Sequence, residues 1–159
     1  TYRRWLIMTI HTALINTKEQ KISLDKAKKF VYSSENGAET IFVGRVRNIN
    51  DNKKVTAVTY DAHDEAVLKS FKIICTDAKN KFDETAKIFL EHVKGYTSVG
   101  EISILIAVGA GHRDEAFKIC RYILEEVKHQ SPIWKKEHYI DGKEEWLPGH
   151  SLRPKENIK

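Results

Sequence analysis

Ile102-Ser103-Ile104-Leu105-Ile106-Ala107-Val108-Gly109-Ala110 is a nearly unbroken apolar run. Such a run suits a central β-strand with both faces covered, not a half-exposed one, which would alternate apolar and polar residues. Working outward, the segment upstream, Lys87 to Val93, does alternate, with Ile88, Leu90 and His92 on one side. Gly95 and Gly100 then punctuate a loop between the two strands. Downstream, Gly109-Ala110-Gly111-His112-Arg113-Asp114 turns the strand into a helix. Ala116, Phe117, Cys120, Ile123, Leu124 and Val127 form its apolar stripe, and Lys128 stands in its last turn.

That helix meets Lys128-His129-Gln130-Ser131-Pro132-Ile133-Trp134-Lys135-Lys136-Glu137. Pro132 cannot continue a helix and biases Ser131 toward an extended backbone, so the chain turns and re-emerges as a strand. Asp141-Gly142 is a tight-turn signal between Ile133–Ile140 and Lys143–Leu147, which read as a hairpin. Residues 148–159 form a polar tail.

Toward the N-terminus, Ile7–Asn16 reads as a first strand. Ser23 is placed to cap a helix carrying Leu24, Ala27, Phe30 and Val31 at helical spacing, and Asn36-Gly37 ends that unit. Ala38–Arg47 and Lys54–Ala62 read as two strands of one hairpin across a polar loop, Asn48–Asn52. Glu65–Phe82 is the clearest helix, with Val67, Phe71, Ile74, Cys75, Ala78 and Phe82 on one face. The order strand, helix, hairpin, helix, strand, strand, helix, hairpin predicts an α+β fold: a mainly antiparallel sheet with helices on one face. The 159 residues fit a single domain, 1–159.

Charge narrows the partners. A net charge of +5 favours anionic ones, but both signs are mixed along the chain, so it does not by itself mark a nucleic-acid protein. Trp5–Ile10 is apolar but short, with Thr9 inside it and His11 at its end, unlike a signal peptide, and no run is long enough for a membrane span. Cys75 and Cys120 both fall on apolar stripes without metal-like spacing, which predicts reduced core thiols in a cytoplasmic protein with no metal site.

Four cationic places stand at element ends. Arg45 and Arg47 flank Val46 and so project from the same face of a strand, where a guanidinium can grip phosphate or carboxylate with two prongs. His112-Arg113 stands at a helix N-terminus, which favours anions, although His112 also suits a plain capping role. Lys128 and Lys135, brought together by the Pro132 turn, are expected to share one pocket with Arg47 and His112. Clustered cations lower one another's pKa and make a neutral amine more accessible, while Glu137 is placed to hold a lysine or take a proton. Lysines at a strand edge or a helix C-terminus also have plain uses, solubility and dipole compensation.

Taken together, Phe42-Val43-Gly44-Arg45-Val46-Arg47-Asn48, Gly111-His112-Arg113-Asp114-Glu115-Ala116-Phe117 and Lys128 followed by Ser131-Pro132-Ile133-Trp134-Lys135-Lys136-Glu137 resemble, in order and spacing, the large catalytic subunit of molybdopterin synthase. The resemblance runs from about Ala38 to Trp146, with a core of about 38–147. It implies an α/β hammerhead-type fold with an added β-rich hairpin part. It also implies a sulfurtransferase that converts cyclic pyranopterin monophosphate to molybdopterin, inserting two dithiolene sulfurs. A small ubiquitin-like subunit would deliver the sulfur as a C-terminal thiocarboxylate, and two large subunits would form a homodimer within a heterotetramer. By the same resemblance Lys128 and Lys135 are catalytic. Arg45, Val46, Arg47, His112, Arg113, Lys136 and Glu137 bind substrate with them, and Phe42 lies near the small subunit's tail.

The chain departs from the family pattern at Tyr60-Asp61-Ala62-His63 and at His92-Val93. An arginine that members supply across the dimer is not obvious here, with His150 or Arg153 the nearest candidates. Two other readings compete. One is a basic nucleic-acid module stacking bases on Trp134, Trp146 and Tyr139; the other is a scaffold that binds the small subunit without catalysis.

Overall fold

The apolar run forms β6 (Ile102–Ala110), which is paired on both edges, as its composition demands. The computed structural model describes residues 8–148. In chain order the other elements are β1 (Ile10–Asn16), α1 (Leu24–Val31), β2 (Ala38–Arg45), β3 (Ile49–Asn50), β4 (Lys53–Ala62), α2 (Asp64–Phe82), β5 (Lys87–Ser98), α3 (Arg113–Gln130), β7 (Ile133–Tyr139) and β8 (Glu144–Trp146). The sheet runs β2-β6-β5-β4-β7-β8, with β1 also on β5 and β3 also on β4. Every pair is antiparallel except β1 with β5. The fold is α+β, as expected, and among the described residues no helix is long and apolar enough to cross a membrane.

Two cores flank the sheet. Phe71, Ile74, Ile119 and Ile123 of α2 and α3 pack on Ile88, Leu90, Ile106 and Val108. The alternate residues Phe89, Val93, Leu105 and Ala107 face Ala27 and Val31 of α1. Helices therefore cover both faces, not one; α1 is short, and its place follows from the need to bury the second side of β6. Gly109 is what lets α1 close in. A Cβ there would collide with the backbone oxygen of Val31.

The expected hairpin between β2 and β4 does not form. β2 pairs with β6, Ala38 opposite Ala110 and Phe42 opposite Ile106, because β6 needs a partner on its outer edge. β4 instead pairs with β5 and β7. The polar loop between them holds β3, which turns back on β4 through Asp51 and Asn52, both at positive φ. Positive φ at both central residues is what a two-residue hairpin turn of type I′ requires.

The expected loop at Gly95 is also absent. β5 runs on to Ser98 and changes neighbours there: its first half lies against β1 up to Lys94, and its second half pairs with β4 from Gly95. Gly95 makes the bend at φ +113, a conformation that side-chain-bearing residues rarely adopt.

Ser23 caps α1, its hydroxyl accepting from the Lys26 amide at 3.3 Å. On α3 the buried stripe is Ala116, Ile119, Cys120, Ile123 and Val127. Phe117, expected inside, is 64% exposed. The second hairpin, β7 with β8, turns at Gly142 as predicted.

Candidate functional site

The turn after α3 is fastened to the start of α2. The Ser131 hydroxyl lies 2.8 Å from that of Ser70, and the Pro132 carbonyl accepts from the His63 amide at 3.4 Å. This fastening delivers β7 alongside β4 and sets Lys135 directly opposite Tyr60. The Lys135 amine lies 5.9 Å from the centre of the Tyr60 ring.

Two clefts meet at this pair. The larger, about 270 Å³, is lined by Arg45, Val46, Arg47, Asn50, Tyr60, Lys135 and Glu137, among others. The smaller, about 160 Å³, holds His92, Ser103, Val127 and Lys128 and shares Tyr60 and Lys135. Lys128 and Lys135 thus open on one region with Arg47 near them.

The electrostatics are those of a crowded cationic site. Burial is the main cause that pulls the Lys135 amine below the ordinary lysine value; Lys128 and Arg47 add to it, and Glu137 opposes. Glu137 is 5% exposed and already engaged, accepting from Asn50 Nδ2 at 2.8 Å and from the Tyr139 hydroxyl at 3.2 Å. It is a braced counter-charge rather than a free base. Arg45 donates to the Gly100 carbonyl at 2.7 Å, and backbone bonds between Val46 and Gly100–Glu101 hold that segment in place.

Strand alternation separates the neighbouring lysines. Lys136 projects to the opposite face of β7, pairs with Glu144 at 3.4 Å and lies over the Trp146 ring at 5.3 Å. It does not line either cleft.

His112 and Arg113 are not in this region either. They begin α3, whereas Lys128 is near its end; the fifteen helical steps from Arg113 to Lys128 span about 22 Å. The expectation that His112 joins the lysines is therefore wrong within one chain. Nor does His112 cap the helix, since its side chain makes no capping bond. The helix start is held from behind instead: the Gly111 amide donates to Asp83 at 3.1 Å.

Phe42 is 36% exposed on β2, two residues from Gly44, whose Cα faces Ile104 at the edge of the smaller cleft. His150 and Arg153 lie outside the described residues.

Reading the sequence for charge missed the uncharged walls, Tyr60, His92, Ser103 and Asn50. One signal was available: His92 interrupts an otherwise apolar face after Ile88 and Leu90. Among the described residues, no three or more His, Cys, Asp or Glu side chains gather as a metal-binding set.

The chain matches the family model described as "MoaE protein" over residues 17–130. It is 43% identical over 131 residues to the molybdopterin synthase catalytic subunit of Synechococcus elongatus, covering 82% of this chain and 79% of that one. The subunit of the same name from Pyrococcus abyssi is 37% identical over 132 residues, 83% and 88% of the two chains. Among solved structures, molybdopterin synthase from Staphylococcus aureus superposes with a TM-score of 0.78 at 26% identity, covering 85% of this chain and 95% of that one. The complex of subunits 1 and 2 of molybdopterin-converting factor from Helicobacter pylori shares the fold, with a TM-score of 0.69 at 21% identity over 86% and 89%.

Proposed function

The chain belongs to the MoaE protein family, and from that membership we propose that it is the catalytic subunit of a molybdopterin synthase. In this reading it takes cyclic pyranopterin monophosphate and a small ubiquitin-like subunit whose C-terminus carries sulfur as a thiocarboxylate. The observation that carries the proposal is the pairing of Lys128 and Lys135 on adjoining clefts with Arg47.

The geometry suits each demand of the reaction. The substrate phosphate is an anion, and Arg45 and Arg47 offer guanidinium groups at the rim of the larger cleft. The thiocarboxylate sulfur bonds to a substrate carbon as a carbon–oxygen bond at that carbon breaks, and the partner's terminal acyl group becomes a thioester. Water attacks that acyl carbon and develops an oxyanion, which Lys128 and Arg47 stabilise as fixed charges; its collapse breaks the acyl–sulfur bond, leaving the sulfur on the substrate as a thiolate and the partner's C-terminus as a carboxylate. Lys135, its amine pulled below the ordinary lysine value by burial, serves as proton acceptor for that water, or as a nucleophile whose acyl adduct water then hydrolyses. Phe42 borders the path of the entering tail. Sulfur arrives on the partner and the pterin is the substrate, so the scheme calls on no resident cofactor.

The reading also includes a homodimer within a heterotetramer. His112 and Arg113 match family pocket positions yet stand about 22 Å along α3 from Lys128. In a dimer they would serve the cleft of the other copy. The fold shared with the subunit complex from Helicobacter pylori supports a small-subunit partner. Cys75 and Cys120, buried free thiols pushed up to about 12 and about 11 by burial, suit a cytoplasmic protein.

The test is single-turnover sulfur transfer from thiocarboxylated small subunit. Lys128→Ala and Lys135→Ala should each slow transfer by about a hundredfold or more, while the fold and small-subunit binding persist. Near-parental rates would remove that lysine from the chemistry. Binding without turnover by the parent chain would leave a scaffold.

A further inference from the structure

Two side chains of the wall between the clefts, Tyr60 and His92, have no part in the chemistry just described. Both are deeply buried, at 5% and 7% exposure, and their rings meet edge to face with centres 5.0 Å apart. They come from different strands. Tyr60 lies on β4 between Lys135 of β7 and Gly95 of β5, and His92 lies on β5 opposite Ile104 of β6. The sheet itself therefore fixes the pair at the back of Lys135.

The histidine's state follows from its bonding. His92 Nδ1 is 2.7 Å from the Val93 carbonyl, and a carbonyl only accepts, so Nδ1 carries the proton. The neutral ring with that tautomer already has its donor satisfied, and burial holds it uncharged down to about 4. Tyr60 is likewise kept neutral: burial raises its phenol, and the bond with Ser103 only partly opposes that.

Charged and titratable groups approach the Lys135 amine from every side. Arg47 comes from the segment after β2, Lys128 from α3, Glu137 from its own strand, and Tyr60 and His92 from β4 and β5. The single carboxylate among them is tied to Asn50 and Tyr139. The two rings of the remaining wall, Tyr60 and His92, bring no negative charge to the amine. An acidic or solvated residue at either ring would stabilise the ammonium form and idle the amine.

We propose that Tyr60 and His92 are positioning residues for Lys135, forming an uncharged wall beside its amine that limits the amine's solvation. The proposal rests on the catalytic reading of Lys135, and its test is independent of turnover. The full chain carries ¹⁵N-labelled lysine, the Lys135 signal is assigned by its loss in Lys135→Arg, and its titration is followed by NMR. Tyr60→Phe keeps the ring and should leave the midpoint where the parent has it. Tyr60→Ser admits water and should move the midpoint up toward the ordinary lysine range. His92→Ser opens the same wall from β5 and serves if Tyr60→Ser does not fold. In sulfur-transfer assays the acid limb of the pH–rate profile should move up with the midpoint, and the rate should recover at high pH.

An unchanged Lys135 midpoint in a folded Tyr60→Ser or His92→Ser protein overturns the proposal. A shifted midpoint in a protein without sulfur transfer would uphold the wall and sink the functional reading instead.

Discussion

Acidification should weaken this fold through one imidazole. His92 is buried beside Tyr60, with its proton committed to the Val93 carbonyl, and burial takes it down to about 4 from an ordinary 6.5. Below 6.5 the unfolded chain takes up a proton that the folded chain refuses. Stability therefore falls as the pH drops from 6.5 toward 4, levels off below that, and is untouched above 6.5. A gap of about 2.5 pH units is worth about 3 kcal/mol. Against a typical domain stability of about 5–15 kcal/mol this is a large share. The assay is urea unfolding at several pH values between 7 and 4, on the parent and on His92→Gln, which cannot titrate. Subtracting the two curves cancels the contribution of every other group. The parent should lose about 3 kcal/mol more than the variant over this range. Parallel curves would mean that the folded protein protonates His92 as easily as the unfolded one, and the account of its burial would fall.

Three further outcomes are expected. Arg47→Ala should raise the substrate's dissociation constant, at a cost of about 1.5–3 kcal/mol for a lost charge-assisted contact, with little change in melting temperature; Lys136→Ala, on the opposite face, should leave binding near parental in the same titration. Replacing Cys75 and Cys120 together with alanine should preserve turnover supported by the small subunit in a folded protein, because both thiols are buried and neither reaches a cleft; loss of transfer with the fold intact would show that sulfur passes through one of them. Gly109→Ala should destabilise by more than about 4 kcal/mol or prevent folding, since the added carbon would collide with the Val31 backbone, whereas Gly100→Ala, with open space but φ +86, should cost about 1–2 kcal/mol by thermal or urea denaturation.

Periodicity made the elements legible but not all of their pairings. The stripe Val67, Phe71, Ile74, Cys75 and Ala78 located α2, and the unbroken run located β6. What periodicity lacks is information about which strand lies beside which. β2 and β4 were close in sequence, so a hairpin was the economical reading, yet β6 had an edge to fill and β2 filled it. Phe117 misled for a related reason: an aromatic beside a stripe looks internal, but the helix turns it to the surface and buries Ile119. At the site, Arg47, Lys128 and Lys135 were readable because charge at element ends is conspicuous. The distance of His112 was hidden because neighbours in a motif set need not be neighbours in one chain. Tyr60 and His92 looked like departures from a pattern, and only their burial and contact reveal them as a wall.

The pairing of β7 with β4 also sets a timetable. As the chain leaves the ribosome, Arg47, Tyr60 and His92 emerge well before Lys128, and Lys135 comes later still. Until β7 arrives, one edge of β4 is open, with Val58 and Tyr60 beside it. An unpaired edge of this kind invites association with other chains. This late stretch thus does two jobs at once: it closes the edge of β4 against association, and it brings the Lys135 amine to a floor already laid. A nascent chain that stalls after α3 would expose that edge and lack Lys135 alike, so a chain whose β4 edge is closed is one whose second lysine is already in place.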